Sequence, residues 1–192
     1  MLSLLLAAAI STPAPVRADV LLSAGHQGRP ASCARFPTRK CNLGAAGERE
    51  RTPVVVAEAA KILRAHGVRV LVEPADFAGT FAVADAIFIH FDGSVPPCAS
   101  GASIGFHRKE DEDAAKAWRA RYSQSWKFRF QPDNFTKGLR DYYAFRQVDA
   151  SDAALVLELG ELTCPAQRAW LEPRIKWTGA LLAHFLLERL KR

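Results

Sequence analysis

The chain has 192 residues, 49% hydrophobic and 24% charged, enough for one domain with a full core and too few to expect two. Lys and Arg outnumber Asp and Glu by 26 to 20, a formal charge of +6, which suits an anionic partner such as a cell-wall polymer. The cations are scattered and form no basic helix, so nucleic acid is not an expected partner.

The first element is the apolar run Leu2–Ile10, followed by Pro13, Pro15 and Val16-Arg17-Ala18. It is too short to span a bilayer as a stable helix. Its end fits signal-peptidase cleavage after Ala18, although no Lys or Arg precedes the run. The expectation is a signal peptide at 1–18 and a mature domain at 19–192, periplasmic or secreted, with no stable membrane insertion. Four cysteines remain, Cys33, Cys41, Cys98 and Cys164. An even count after an export signal reads as disulfides. Of three possible pairings, Cys33 with Cys41 would close one loop, and Cys98 and Cys164 could meet at one sheet edge. A four-cysteine zinc site is the rival, but neither pair has the close spacing of such sites.

Val20–Ser23 reads as a buried strand, and residues 25–47 as a long loop rich in Gly, Pro and Cys. Loops of that length in compact domains are usually functional or stapled. Thr52-Pro53 is a helix-start signal and Gly67 a stop. "VRVLVEP" alternates as a strand, and "DAIFIHFDG" is continuously apolar, as in a central strand covered on both faces. "ASIGFH" is a further strand, at an edge, and "EDEDAAKAWRARY" is an amphipathic helix with acids in its first turn. The segment 131–143 fits no element. "AALVLELGEL" is another strand, and "PRIKWTGALLAHFLLERLKR" a long terminal helix. The order implies a single α/β domain: a mixed, mostly parallel twisted sheet flanked by helices on both faces.

In such sheets, sites collect at the carboxyl ends of the strands. His26 follows the first strand, His90 lies inside "IFIHFDG", Glu158 lies inside "LVLELGEL", and Glu48 sits where the long loop enters the first helix. Two imidazoles and a carboxylate can hold Zn²⁺ with one position left open. A second carboxylate could then take a proton from water and pass it to a leaving amine. Each residue alone has a plainer reading: a turn histidine, a packed core histidine, a salt-bridge partner, a solvated helix face.

The order of these pieces resembles the zinc-dependent N-acetylmuramoyl-L-alanine amidases, the cell-wall amidases with His/Glu/His ligands. The pattern runs from the first strand with "AGHQG", through "GE" at a helix start, to "IFIHFDG" and "VLELG" before a C-terminal helix. The resemblance implies zinc ligands His26, Glu48 and His90 and the catalytic glutamate Glu158. It also implies hydrolysis of the amide between N-acetylmuramic acid and L-alanine, in peptidoglycan or muropeptides, by a monomer. Glu48 is placed by counting back from Gly67, with Glu50 as the fallback. Two departures, "QGRPASC" after His26 and Phe91-Asp92 after His90, touch the pocket wall. In this frame the disulfides Cys33–Cys41 and Cys98–Cys164 would brace loops beside the site. Arg140 is a candidate to meet a substrate carboxylate or lactyl oxygen, but a surface ion pair is the expectation. His66 is expected to serve a helix end and His184 to be packed or at the surface; His107 follows a strand, with a place facing the cleft as its lesser reading, and Glu161 is expected on the face away from Glu158. The alternatives are a non-catalytic cell-wall-binding relative and a zinc peptidase cutting within the stem peptide.

Overall fold

The computed structural model describes residues 14–34 and 41–191. Six strands form one sheet: β1 (Val16–Arg17), β2 (Val20–Ala24), β3 (Val70–Glu73), β4 (Phe81–Asp92), β5 (Ser103–Gly105) and β6 (Val148–Glu161). The order is β3-β2-β4-β6-β5, with β1 pairing alongside the start of β4. All pairs are parallel except β5 with β6. The mixed α/β sheet expected from the sequence is therefore present. Leu2–Ile10 lies outside the described residues, and among those described no helix is long and apolar enough to cross a membrane.

The two longest strands, β4 and β6, sit side by side at the centre. Their apolar runs are covered on both faces, so Ile87, Phe88, Leu155 and Val156 are all essentially inaccessible. Their register places His90 opposite Glu158. Paired residues of neighbouring strands point to the same side of a sheet, so both side chains project from one face at the strands' carboxyl ends.

The helices are α1 (Glu48–Ala65), α2 (Glu112–Ser123), α3 (Lys137–Arg140), α4 (Pro165–Leu171) and α5 (Ile175–Leu190). On one face Val55, Ala59 and Leu63 of α1, Trp118 and Tyr122 of α2, and Phe185 and Leu186 of α5 pack over Ile87, Ile89, Leu155 and Leu157. The other face is covered differently. Leu21, Phe88 and Val156 pack against Phe77, Leu139, Ala144, Tyr142 and Phe145, which belong to loops, the short α3 and a 3₁₀ turn at Tyr143–Arg146. The unassigned segment 131–143 is thus part of the cover over this second face. It has no periodicity because backbone bonds to the edge strand hold it, Gln131 N to Ala102 O and Asn134 N to Ile104 O. Helix α4 was also not anticipated; Pro165 opens it, and Trp170 and Leu171 bury its apolar side.

Helix α1 starts earlier than Thr52-Pro53 implied. Gly47 takes a left-handed conformation (φ 83°) and Glu48 is the first helical residue. The Glu48 amide donates to Ala45 O, and the Ala45 amide donates back to Glu48 Oε2 at 2.8 Å. This reciprocal pair fixes the start, as in a capping box. Thr52 is not a cap: its hydroxyl donates to Gly25 O at 2.9 Å, tying α1 to the end of β2.

Both disulfides, Cys33–Cys41 and Cys98–Cys164, are formed and no cysteine is free.

Candidate metal centre

Strand β2 delivers His26 through a sharp turn. His26 itself is left-handed (φ 59°), an uncommon conformation for a residue with a side chain. Glycines make room at two contacts. A Cβ on Gly25 would lie 2.5 Å from the His90 ring, and one on Gly44 2.1 Å from Glu48 Oε2. Both are glycine because the site's side chains fill the space a larger residue would need.

His26, Glu48 and His90 meet with their ligand atoms all within 4.8 Å of one another. Glu48 is buried, and its Oε1 lies 3.0 Å from His90 Nδ1 and 3.5 Å from His26 Nε2. The Phe91 amide also donates to Oε1, at 3.0 Å. Glu50 is exposed and lines a separate groove with Arg51 and Glu172. Of the two candidates, Glu48 is the one that joins the histidines.

The outer nitrogen of each imidazole is also held. His26 Nδ1 is 3.0 Å from Asn42 O and 2.9 Å from Arg29 Nη1. A lone pair on Nε2 requires the proton on Nδ1, donated to Asn42 O. Arg29 Nη1 donates to the same carbonyl at 2.9 Å, and its other nitrogens pair with Asp76. His90 Nε2 lies 3.0 Å from Tyr142 Oη. With the proton on Nε2, Tyr142 accepts it and Nδ1 is free to act as a ligand. The sequence signalled neither Arg29 nor Tyr142. Their positions in "HQGRP" and "RDYYAF" carry no spacing that points at a metal.

Burial lowers the His26 pKa, partly opposed by the Glu48 charge, which keeps the ring neutral as a ligand requires. Burial alone would raise Glu48. Without a metal, His90 Nδ1 can instead carry a proton and donate to Glu48; that bond, any positive charge on the two rings and the Phe91 amide outweigh burial and hold the carboxylate below its ordinary value. Glu158 differs. Its Oε2 is shielded from solvent and has no hydrogen-bond partner among the described residues. Burial, with the Glu48 and Asp92 charges adding, raises its pKa well above the ordinary carboxylate range.

Glu161 is not part of this group. It accepts from Ser94 Oγ, the Cys98 and Ser100 amides and Thr163 Oγ1, and so organises the loop beside the Cys98–Cys164 disulfide. Arg140 is exposed and pairs with Asp141 at 3.6 Å. His66 caps α1 through Ile62 O, His107 stacks on Phe145, and His184 is exposed.

Two clefts join at His26, Asn42 and Glu158. One, of about 600 Å³, is walled by Ala34, residues 43–46, Phe91, Asp92 and Val95. The other, of about 610 Å³, lies beneath α3 and the Tyr143–Arg146 turn.

No protein-family model matches the chain, and no curated protein sequence does. Solved structures do match. The catalytic domain of the N-acetylmuramoyl-L-alanine amidase of Bacillus (Paenibacillus) polymyxa is similar at a TM-score of 0.63 and 15% identity, covering 91% of this chain and 98% of its own. The N-acetylmuramoyl-L-alanine amidase of Nostoc punctiforme gives 0.61 and 16%, covering 92% and 98%. The Mycobacterium smegmatis N-acetylmuramyl-L-alanine amidase gives 0.57 and 19%, covering 93% and 100%. At these identities the likeness is one of fold, and it extends over nearly the whole chain.

Proposed function

We propose that this chain is a zinc-dependent N-acetylmuramoyl-L-alanine amidase acting on peptidoglycan or its fragments. One observation carries the reading: two imidazoles and a carboxylate converge within 4.8 Å, beside the unpartnered carboxylate oxygen of Glu158, on a fold shared with such amidases. The donor set fits zinc: neutral imidazole nitrogens, one ionised carboxylate, and a hydrogen-bond partner behind each ring. His26 Nε2, Glu48 Oε1 and His90 Nδ1 would hold the ion. A zinc ion there supplies Lewis acidity for the scissile carbonyl and makes water acidic enough to lose a proton near neutral pH.

The chain's own part is proton transfer and positioning. Glu158, in its ionised form, accepts the proton from the attacking water as oxygen bonds to the carbonyl carbon. It returns that proton to the amide nitrogen as the C–N bond breaks, giving a lactyl carboxylic acid and a free L-alanine amine. Asn42 and Tyr142 hold the two rings in the tautomers the ligand atoms need.

Export by a signal peptide at 1–18, a periplasmic or secreted location and a monomeric state complete the proposal. Two disulfides support an oxidising compartment. Digestion of purified peptidoglycan by the zinc-loaded protein tests the reading. Release of intact stem peptides with free L-alanine amines is the expected result. New ends inside the peptide would replace it with a peptidase, and binding without release with a cell-wall-binding protein.

A further inference from the structure

Three of the chain's four tryptophans, Trp126, Trp170 and Trp177, line one cleft of about 690 Å³ between the residues that follow α2 and the corner where α4 gives way to α5. It shares no lining residue with the two clefts at the metal group. The rings meet edge to face, Trp126 with Trp170 at 5.1 Å and Trp170 with Trp177 at 6.2 Å. Trp126 is seated over the end of β6, where a Cβ on Gly160 would lie 2.4 Å from its ring. Trp126 and Trp170 are nearly covered, but Trp177 is 38% exposed. The polar part of the cleft is cationic. Arg174 Nη1 donates to Trp170 O at 3.0 Å, and its guanidinium sits 4.8 Å from the Trp170 ring centroid, so a ring face and a carbonyl position it without an anion. Lys127 is exposed. Among the described residues neither cation lies in ion-pair range of an acid, and no acid lines the cleft.

An accessible indole beside two uncommitted cations matches a sugar ring that carries a carboxylate. The C–H bonds of a pyranose are slightly positive and pack on the negative face of an indole. A carboxylate pairs with guanidinium and ammonium. Hydrolysis of a muramoyl–L-alanine amide makes such a ligand. Before the cut the lactyl carboxyl is consumed in the amide and the sugar is neutral. Afterwards each stripped muramic acid keeps a free lactyl carboxylate.

We propose that the tryptophan cleft binds glycan already stripped of its peptides, with Trp177 against a sugar ring and Arg174 and Lys127 on a lactyl carboxylate. The source of that ligand rests on the amidase reading; the chemistry of the cleft does not. Because the cleft is separate from the metal group, the chain can hold a processed strand while the metal group stays open to the next amide.

The test uses zinc-loaded protein and two tetrasaccharides of alternating N-acetylglucosamine and N-acetylmuramic acid, one with free lactyl carboxylates and one with those carboxylates converted to methylamides. Binding is measured by calorimetry. The wild type should bind the free acid about 10-fold more tightly, the scale of two solvent-screened ion pairs, and the preference should shrink with salt. Trp177→Ala should weaken both sugars about 10-fold, because the ring reads the sugar and not its charge. The Lys127→Gln, Arg174→Gln double variant should lose the preference and bind the methylamide as before; Lys127→Gln alone, at an exposed position where folding is not at stake, should lose part of it. Removing zinc with a chelator should leave binding unchanged, which separates this cleft from a carboxylate held at the metal group. No binding, equal wild-type affinity for the two sugars, unchanged affinity in Trp177→Ala, or binding that disappears with zinc would overturn the assignment. Preference for the free acid in a protein that fails to hydrolyse a muramoyl-L-alanyl peptide would keep the cleft and overturn the amidase reading instead.

Discussion

Replacing Tyr142 by Phe removes one oxygen from the site and little else. The ring stays against Phe88, Phe145 and His90, at centroid distances of 5.1, 5.9 and 5.5 Å, so the packing of the second sheet face survives. What is lost is the partner of His90 Nε2, 3.0 Å away. A ring N–H left unpaired in a buried site costs about 1–3 kcal/mol. His90 can escape that cost by moving its proton to Nδ1 and donating to Glu48, which lies 3.0 Å off. That tautomer has no lone pair for a metal at Nδ1. The substitution should therefore weaken zinc binding by about 10- to 100-fold, the usual loss when the group behind a ligating histidine is removed. In free energy that is about 1.4–2.7 kcal/mol. Zinc affinity measured by competition with a chromophoric chelator, alongside thermal unfolding of the zinc-free protein, separates this from a folding defect. A variant that unfolds near the wild type but holds zinc as tightly would refute the assignment of Nδ1 as the ligand atom.

Gly25→Ala should disturb the site more severely, because its Cβ would lie 2.5 Å from His90 Nδ1; the check is zinc content after dialysis, and full occupancy would contradict the packing argument. Glu161→Gln removes a charged acceptor of several hydrogen bonds and should cost about 2–3 kcal/mol in urea unfolding, with little change in zinc affinity. Burial raises Glu161, but its hydroxyl and amide donors prevail and hold it below the ordinary 4.5. Its contribution is therefore present above that pH and lost as pH falls through the folded value; unfolding midpoints for wild type and Glu161→Gln should converge in acid. Alkylation of denatured, unreduced protein should find no thiol. Loss of Cys98–Cys164, whose sequence separation is 66, should destabilise the chain by about 4 kcal/mol in the chain-entropy account.

The sheet was legible because burial leaves a composition signature. The continuous apolar run of β4 reads as a central strand and that of β6 as a further strand, which puts His90 and Glu158 near strand carboxyl ends; that the two belong to one site came from the family pattern, and the β4–β6 register bears it out. Glu48 was reached through its distance from Gly67 in a family pattern, while local helix signals pointed later, to Thr52-Pro53. Those signals misled because Thr52 spends its hydroxyl on Gly25 O in another element. Tyr142 and Arg29 were not legible for a similar reason. Each touches a site histidine, Arg29 at His26 and Tyr142 at His90, through contacts set by tertiary packing, in segments with no periodicity of their own. Arg140 stood out in the sequence, yet it lies at the surface and pairs with its neighbour Asp141.

The central claim is a metal centre in which Glu158 moves the proton without holding the ion. The most direct measurement is zinc content and peptidoglycan turnover for wild type, His26→Ala and Glu158→Ala. The account predicts one zinc per chain and free L-alanine amines for the wild type, loss of both for His26→Ala, and retained zinc with turnover lowered at least about 100-fold for Glu158→Ala. A Glu158→Ala protein as active as the wild type would contradict it.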